Sequence, residues 1–204
     1  MITVYHLETS RSQRILWLLE ELGVPYEVQR FARDPATGRA PQAYRDIHPL
    51  GKSPVIRDGD LLLAESGAIV EYLIESHGGG RLAPPPGDPR RARYLHWCHF
   101  AEGTAMAFLV TGIVLGMAGD GAAPMRQVFE HEVQRILGYV GSELGDGPWL
   151  TGAEFSAADV MMGYVLETVE SRGELASHPG LLAYVARLRE RPAHRRATDA
   201  AAAR

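Results

Sequence analysis

The chain has 204 residues, 46% hydrophobic and 23% charged, which is enough apolar material for one large folded unit or two small ones. Its net charge of -4 offers no basic field for a phosphate backbone, so nucleic acid is excluded as the expected main partner. The one cysteine, Cys98, rules out an intramolecular disulfide and any Cys-rich zinc site, and fits a reducing, cytoplasmic compartment.

MITVYH opens the chain as a short strand, with no charged leader followed by an apolar core, so no signal peptide is expected. In the next stretch Ile15, Leu18, Leu19 and Leu22 recur at helical spacing, and Leu16 widens that face. Gly23 ends this helix, with Pro25 close behind. Thr9, Ser10 and Ser12 crowd its start beside Arg11, although one hydroxyl suffices to cap a helix. YEVQRF (26–31) alternates as a strand should, and a short helix fits near 41–46. In PVIRDGDLLLAE, Asp58-Gly59 lies between two apolar runs and predicts a hairpin in which Arg57 faces Asp60. SGAIVEYLIESH puts Ile69, Val70, Leu73 and Ile74 on one helical face, with Ser66 as its N-cap. The order is β-α-β-(α)-β-β-α, parallel first and a hairpin second.

SHGGGRLAPPPGDP (76–89) clusters Gly and Pro and reads as a linker, giving domains at 1–79 and 88–204. Beyond it the pattern is helical: residues 90–118 with a break near Gly103 or Gly112, then 124–144 ending at GDGPW. The apolar AMAFLVTGIVLGMAG is shorter than a bilayer span of about 20 residues, so a buried helix is expected there and no membrane partner. Ser156 caps the next helix, with Asp159 reaching back in a capping box and Phe155 placed to staple onto Val160. HPGLLAYVARLRER is the last clear helix, and the tail ATDAAAAR is expected to fray.

Three segments in this order, TSRSQRILWLLEELGVPYE, HPLGKSPVI leading to LLAESGAIVEYL, and WLTGAEFSAADV, resemble the cytosolic glutathione transferases over nearly the whole length. The likeness is greatest to serine-type bacterial and fungal members. It implies an α/β plus all-α architecture: a thioredoxin-like, glutathione-binding domain followed by an all-helical domain that lines the second-substrate site. It also implies an enzyme that conjugates the glutathione thiolate to a small hydrophobic electrophile in detoxification, acts as a homodimer through the helix from residue 90, and uses no cofactor.

A free thiol ionises near pH 8.5, so the protein must favour the anion, and hydroxyl donors beside a helix N-terminus do that. On the resemblance, Ser10 is the catalytic serine that donates to the sulfur, with Ser12 as alternative. Tyr5 stands near the place of the catalytic tyrosine in other classes. Arg11 adds positive potential or binds substrate. Pro54 is expected in cis, exposing the Ser53 main chain to the cysteinyl part, and Lys52 meets the glycyl carboxylate. Ser66 holds the α-carboxylate of the γ-glutamyl end and Glu65 its ammonium; Ser66 read alone is simply a cap. His96, His99, Glu102, Met106 and Phe108 share the helix bordering the second pocket. Cys98 is expected to be buried and inert, and His96 with His99 lack further ligands for a metal. A glutathione-dependent disulfide or peroxide reductase, and a non-catalytic binding relative, remain as alternatives.

Overall fold

A computed structural model describes residues 1–203. The chain divides into two compact units, one of Met1–Ala83 together with the segment from Arg189 onward, the other of Pro84–Leu188.

The first unit is built on a four-stranded sheet. Its strands are β1 (Ile2–Leu7), β2 (Tyr26–Phe31), β3 (Val55–Asp58) and β4 (Leu61–Ala64), in the order β2-β1-β3-β4. β1 runs parallel to β2 and antiparallel to β3, and β3 is antiparallel to β4. Successive side chains of β1 alternate between the faces of the sheet. Tyr5 and Leu7 pack with Ala40, Tyr44 and Val55, which leaves Ile2, Val4 and His6 for the other face. Helix α1 (Ser12–Leu22) buries Ile15, Leu16, Trp17, Leu18, Leu19 and Leu22. The buried set is wider than the spacing of its leucines suggests, because α1 packs on β1, on helix α3 (Ser66–Ser76) and on the last helix of the chain. Gly23 closes α1 in the left-handed conformation at φ 65°. The short helix α2 is Gln42–Arg45.

Four local expectations are corrected. The hairpin turn is Gly59-Asp60: Asp58 pairs with Leu61 and Arg57 with Leu62. Asp58 is kept in its strand by the Tyr72 hydroxyl at 2.8 Å and by His77 Nε2 at 2.6 Å, and Gly59 supplies the positive φ of 56° at the first turn position. Arg57, without Asp60 opposite, donates from Nε to the Tyr5 hydroxyl at 3.0 Å. At α1 the cap position is Arg11, with no side-chain capping bond; the Ser12 N–H reaches a hydroxyl, Ser10 Oγ, at 3.4 Å. At α3 the cap position belongs to Glu65, and Ser66 is already helical. Finally, the tail does not fray. Residues Pro192–Ala202 form a helix that packs on α1. Pro192 starts it without losing a needed N–H. His194 sits edge-on to Trp17 at 4.7 Å, and Arg191 holds Glu21 through two bonds of 2.6 and 2.8 Å.

The second unit is helical: α4 (Arg91–Phe100), a π-helical turn (Ala101–Met106), α5 (Ala107–Met117), α6 (Ala123–Leu144), α7 (Ala157–Ser171) and α8 (Pro179–Glu190); the tail helix Pro192–Ala202 is α9. The break expected near Gly103 or Gly112 does not occur: the π-turn at Ala101–Met106 leaves the rod continuous. Arg91–Met117 is therefore 27 residues long and passes, by length and composition only, for a helix able to cross a membrane. The expectation of a buried helix there is corrected as well. Within α5 only Leu109 is buried, while Val110, Val114 and Met117 are exposed. Cys98 is buried.

Asp159 organises the start of α7. Its carboxylate accepts from the Ser156 N–H at 2.8 Å, the Leu150 N–H at 2.9 Å, the Tyr184 hydroxyl at 2.6 Å and the Ser156 hydroxyl at 3.2 Å. The capping box is thus present and extended. Phe155 rests edge-on against Trp149 at 5.0 Å. Burial pushes the Asp159 carboxyl up, and the hydrogen bonds oppose it.

Candidate functional site

The sheet register brings distant segments to one edge. Tyr5 pairs with Val55, and Val55 with Ala64. The residues just after β1, just before β3 and just after β4 therefore emerge together: Ser10 and Ser12, Ser53 and Pro54, Glu65 and Ser66. Helices α1 and α3 both begin at this edge, so their free N–H groups and positive dipole ends favour an anion there. An open cleft of about 260 Å³ lies here, lined by Arg11, His48, Leu50, Lys52, Ser53, Pro54, Ala64, Glu65 and Ser66.

The backbone around it adopts conformations that non-glycine residues seldom take. Thr9, just before Ser10, has φ 48°, and Glu65 has φ 73°. Such strain persists only where the surroundings enforce it, and it gathers at binding sites. The Ser53–Pro54 peptide is cis, and Ser53 precedes β3, outside the sheet ladder.

The crowded hydroxyls form one buried hydrogen-bonded chain. Ser10 Oγ lies 2.9 Å from Ser53 Oγ and 2.8 Å from Ser12 Oγ, and Ser12 Oγ lies 2.9 Å from His6 Nδ1. Ser12 is fully buried, while Ser10 keeps 8% exposure. Of the two, only Ser10 has an edge for a ligand to touch. His6 is itself buried, and desolvation is the main cause that lowers its pKa; Arg30 lowers it further and Glu8 opposes both. Tyr5 points to the other face of the sheet, where its hydroxyl serves Arg57.

Two polar atoms at the cleft lack a hydrogen-bond partner: Ser66 Oγ and His48 Nδ1, both buried. Ser66 thus lines the cleft with an unused hydroxyl instead of capping α3. His48 was not singled out from the sequence. The signal for it is Gly51: at φ 57°, with its N–H bonded to the His48 carbonyl at 2.9 Å, it folds the segment so that the histidine joins the lining. Lys52 is exposed at the rim and Arg11 half-buried.

The helical-domain residues are placed as follows. His96 is exposed and lies among Trp97, Phe100 and Tyr139, with Nε2 at 3.1 Å from the Tyr139 hydroxyl. His99 is exposed, Glu102 is half-buried, Met106 is buried, and Phe108 packs on Phe129. Among the described residues no group of His, Cys, Asp and Glu is placed to hold a metal ion.

Comparison with known proteins agrees with this geometry. The family model described as glutathione S-transferase, N-terminal domain, matches residues 10–76, and that of the C-terminal domain matches 126–187. Glutathione S-transferase 3 of Schizosaccharomyces pombe is 35% identical over 79% of this chain and 72% of its own length. Among solved structures, a glutathione S-transferase from Actinobacillus pleuropneumoniae superposes with a TM-score of 0.88 at 30% identity, covering 98% of this chain and 92% of its own. A family member from Pseudomonas fluorescens, with two glutathione molecules bound, does so at 0.81 and 26%, covering 96% and 91%.

Proposed function

The chain belongs to the glutathione S-transferase family, and on that premise we propose that the cleft of the first unit binds reduced glutathione and that Ser10 stabilises its thiolate. The observation that carries this reading is the Ser66 hydroxyl, buried without a partner beside the strained Glu65. A protein keeps such a costly group where a ligand will complete it.

In this reading Ser66 and the α3 N–H groups take the α-carboxylate of the γ-glutamyl end, and Glu65 takes its ammonium. The Ser53 main chain, presented by the cis bond, pairs with the cysteinyl backbone. Lys52 meets the glycyl carboxylate and Arg11 adds positive potential. The sulfur then lies at the exposed edge of Ser10, whose O–H donates to the anion, with Ser12 behind it. Each tenfold gain in thiolate requires about 1.4 kcal/mol of preference for the charged form. One charge-assisted hydrogen bond is worth about 1.5–3 kcal/mol, so a single serine supplies much of what the reaction needs. The thiolate attacks the electrophilic carbon; the C–S bond forms as the bond to the leaving group breaks, and the leaving group carries off the electron pair. Glutathione is itself the nucleophile, so this chemistry calls for no cofactor or metal.

The same proposal gives the second unit a small hydrophobic electrophile as substrate, and the enzyme a detoxifying role in the cytoplasm as a homodimer. Val110, Val114 and Met117 support the pairing: they recur at helical spacing, share a face of α5 and are exposed. Calorimetric titration with glutathione tests the central reading. Saturable binding, weakened by Lys52→Ala, is expected; no binding at millimolar glutathione would overturn it.

A further inference from the structure

The buried chain from His6 to Ser10 has a direction, and each hydroxyl carries only one proton. For Ser10 to give its proton to a sulfur anion, its two lone pairs must accept from both hydroxyl neighbours, Ser12 at 2.8 Å and Ser53 at 2.9 Å, which leaves the Ser12 N–H at 3.4 Å as no more than a weak contact. Ser12 then spends its own proton on Ser10, and its oxygen must in turn accept from the atom on its far side. That atom is His6 Nδ1, at 2.9 Å.

We propose that His6 is a positioning residue: held as the Nδ1–H tautomer, it donates to Ser12 and thereby aims the Ser10 hydroxyl at the glutathione sulfur. The inference rests on the assignment of Ser10 above. With the proton on Nε2 instead, Nδ1 would be an acceptor and Ser12 would donate to it. Ser10 would then be drawn to donate inward to Ser12, with no proton left for the sulfur. The tautomer of one buried imidazole thus selects between a serine that stabilises the thiolate and one that cannot.

The surroundings suit the role. Ser12 is fully buried, so no water competes for its oxygen. His6 is flanked by Arg30, its register partner on β2, and by Glu8, just past the end of β1, while α1 presents Ser12 to it. Burial and Arg30 lower its pKa, so at neutral pH the ring is uncharged, and the tautomer, not the charge, decides the direction of the chain. His6 touches no substrate and acts only through Ser12.

Two measurements test this. The first is the nitrogen-15 NMR spectrum of the histidine rings, with the His6 signals assigned by their loss in His6→Asn. Nδ1 in the protonated form is expected, and an Nε2–H tautomer would overturn the proposal. The second is the ultraviolet thiolate band of bound glutathione, followed against pH. His6→Phe removes the donor, and Ser12→Ala breaks the next link. Each is expected to raise the apparent thiol pKa by about one unit, tenfold less thiolate below it, while the affinity for the protonated thiol, measured at acid pH, stays the same. His6→Asn, which offers an amide N–H near the place of Nδ1, is expected to restore most of the shift. If His6→Phe fails to fold, Ser12→Ala carries the test. Unchanged thiol pKa values in these variants, with the pKa raised by about one to two units in Ser10→Ala, would overturn the role of His6 and leave that of Ser10 intact. An Asn variant as impaired as the Phe variant would also overturn it. No thiolate band in the wild type would overturn both assignments.

Discussion

Replacing Ser66 by alanine is expected to move stability and binding in opposite directions. A Ser that caps a helix loses about 1 kcal/mol when cut to Ala. Ser66, however, sits inside α3, and its hydroxyl is buried without a partner. An unpaired buried hydroxyl costs about 1–3 kcal/mol, and Ala removes it while leaving a gap the size of one oxygen. The unliganded Ser66→Ala protein should therefore be as stable as the wild type or more stable by about 1 kcal/mol, a rise of about 2–4 °C in Tm for a chain of this size. Binding should weaken, because the lost bond to the carboxylate is worth about 1.5–3 kcal/mol, roughly a 10- to 100-fold increase in Kd. Thermal unfolding without ligand and calorimetric titration with glutathione read the two effects. A variant less stable by 1 kcal/mol, with its Kd unchanged, would refute the reasoning and return Ser66 to a structural role.

Asp159→Ala strips an acceptor from two buried backbone N–H groups and the Tyr184 hydroxyl. The expected loss is about 3–5 kcal/mol, after allowing for relief of the buried charge; a loss under about 1 kcal/mol by urea unfolding would contradict it. The pKa of His6 is lowered in the folded state, so the unfolded chain takes up the proton first. Its contribution to stability is then full above about pH 6.5 and is lost as the pH falls from there towards the folded pKa. The difference in unfolding free energy between the wild type and His6→Asn should be level from pH 8 to 7 and fall below about 6.5. A difference that stays level to pH 5 would contradict the assignment of a buried, neutral ring.

Much of the fold can be read from the sequence because the signals are local and repeated. The leucine spacing of α1, the left-handed Gly23 and the Ser156–Asp159 box each name their own structure. The misreadings have one cause in common: a tertiary partner outbid the local preference. Asp58 satisfies the rule for a turn residue, yet Tyr72 and His77 hold it in β3 and move the turn by one position. Ser10 and Ser12 look like caps but spend their hydroxyl bonds on one another, on Ser53 and on His6, contacts that span up to 43 residues of sequence. The tail is poor in large apolar residues but rich in alanine, which favours a helix, and packing on α1, with His194 against Trp17 and Arg191 on Glu21, holds that helix in place. Within the site, Ser10, Lys52, Ser53, Pro54, Glu65 and Ser66 stood out through a family resemblance. His6 and His48 did not, because nothing local marks a histidine that matters only through a hydroxyl or a bend reaching it from elsewhere in the chain.

In this enzyme Ser10 is proposed to hold a thiolate. The ultraviolet difference spectrum of glutathione bound to the purified protein, taken from acid to alkaline pH beside Ser10→Ala, reads that thiolate itself. A thiolate band is expected in the wild type at neutral pH, with an apparent pKa well below the free value of about 8.5, and a rise of about one to two units in Ser10→Ala, the worth of one charge-assisted hydrogen bond. A band that persists unchanged in Ser10→Ala would show that the sulfur anion is held by another group.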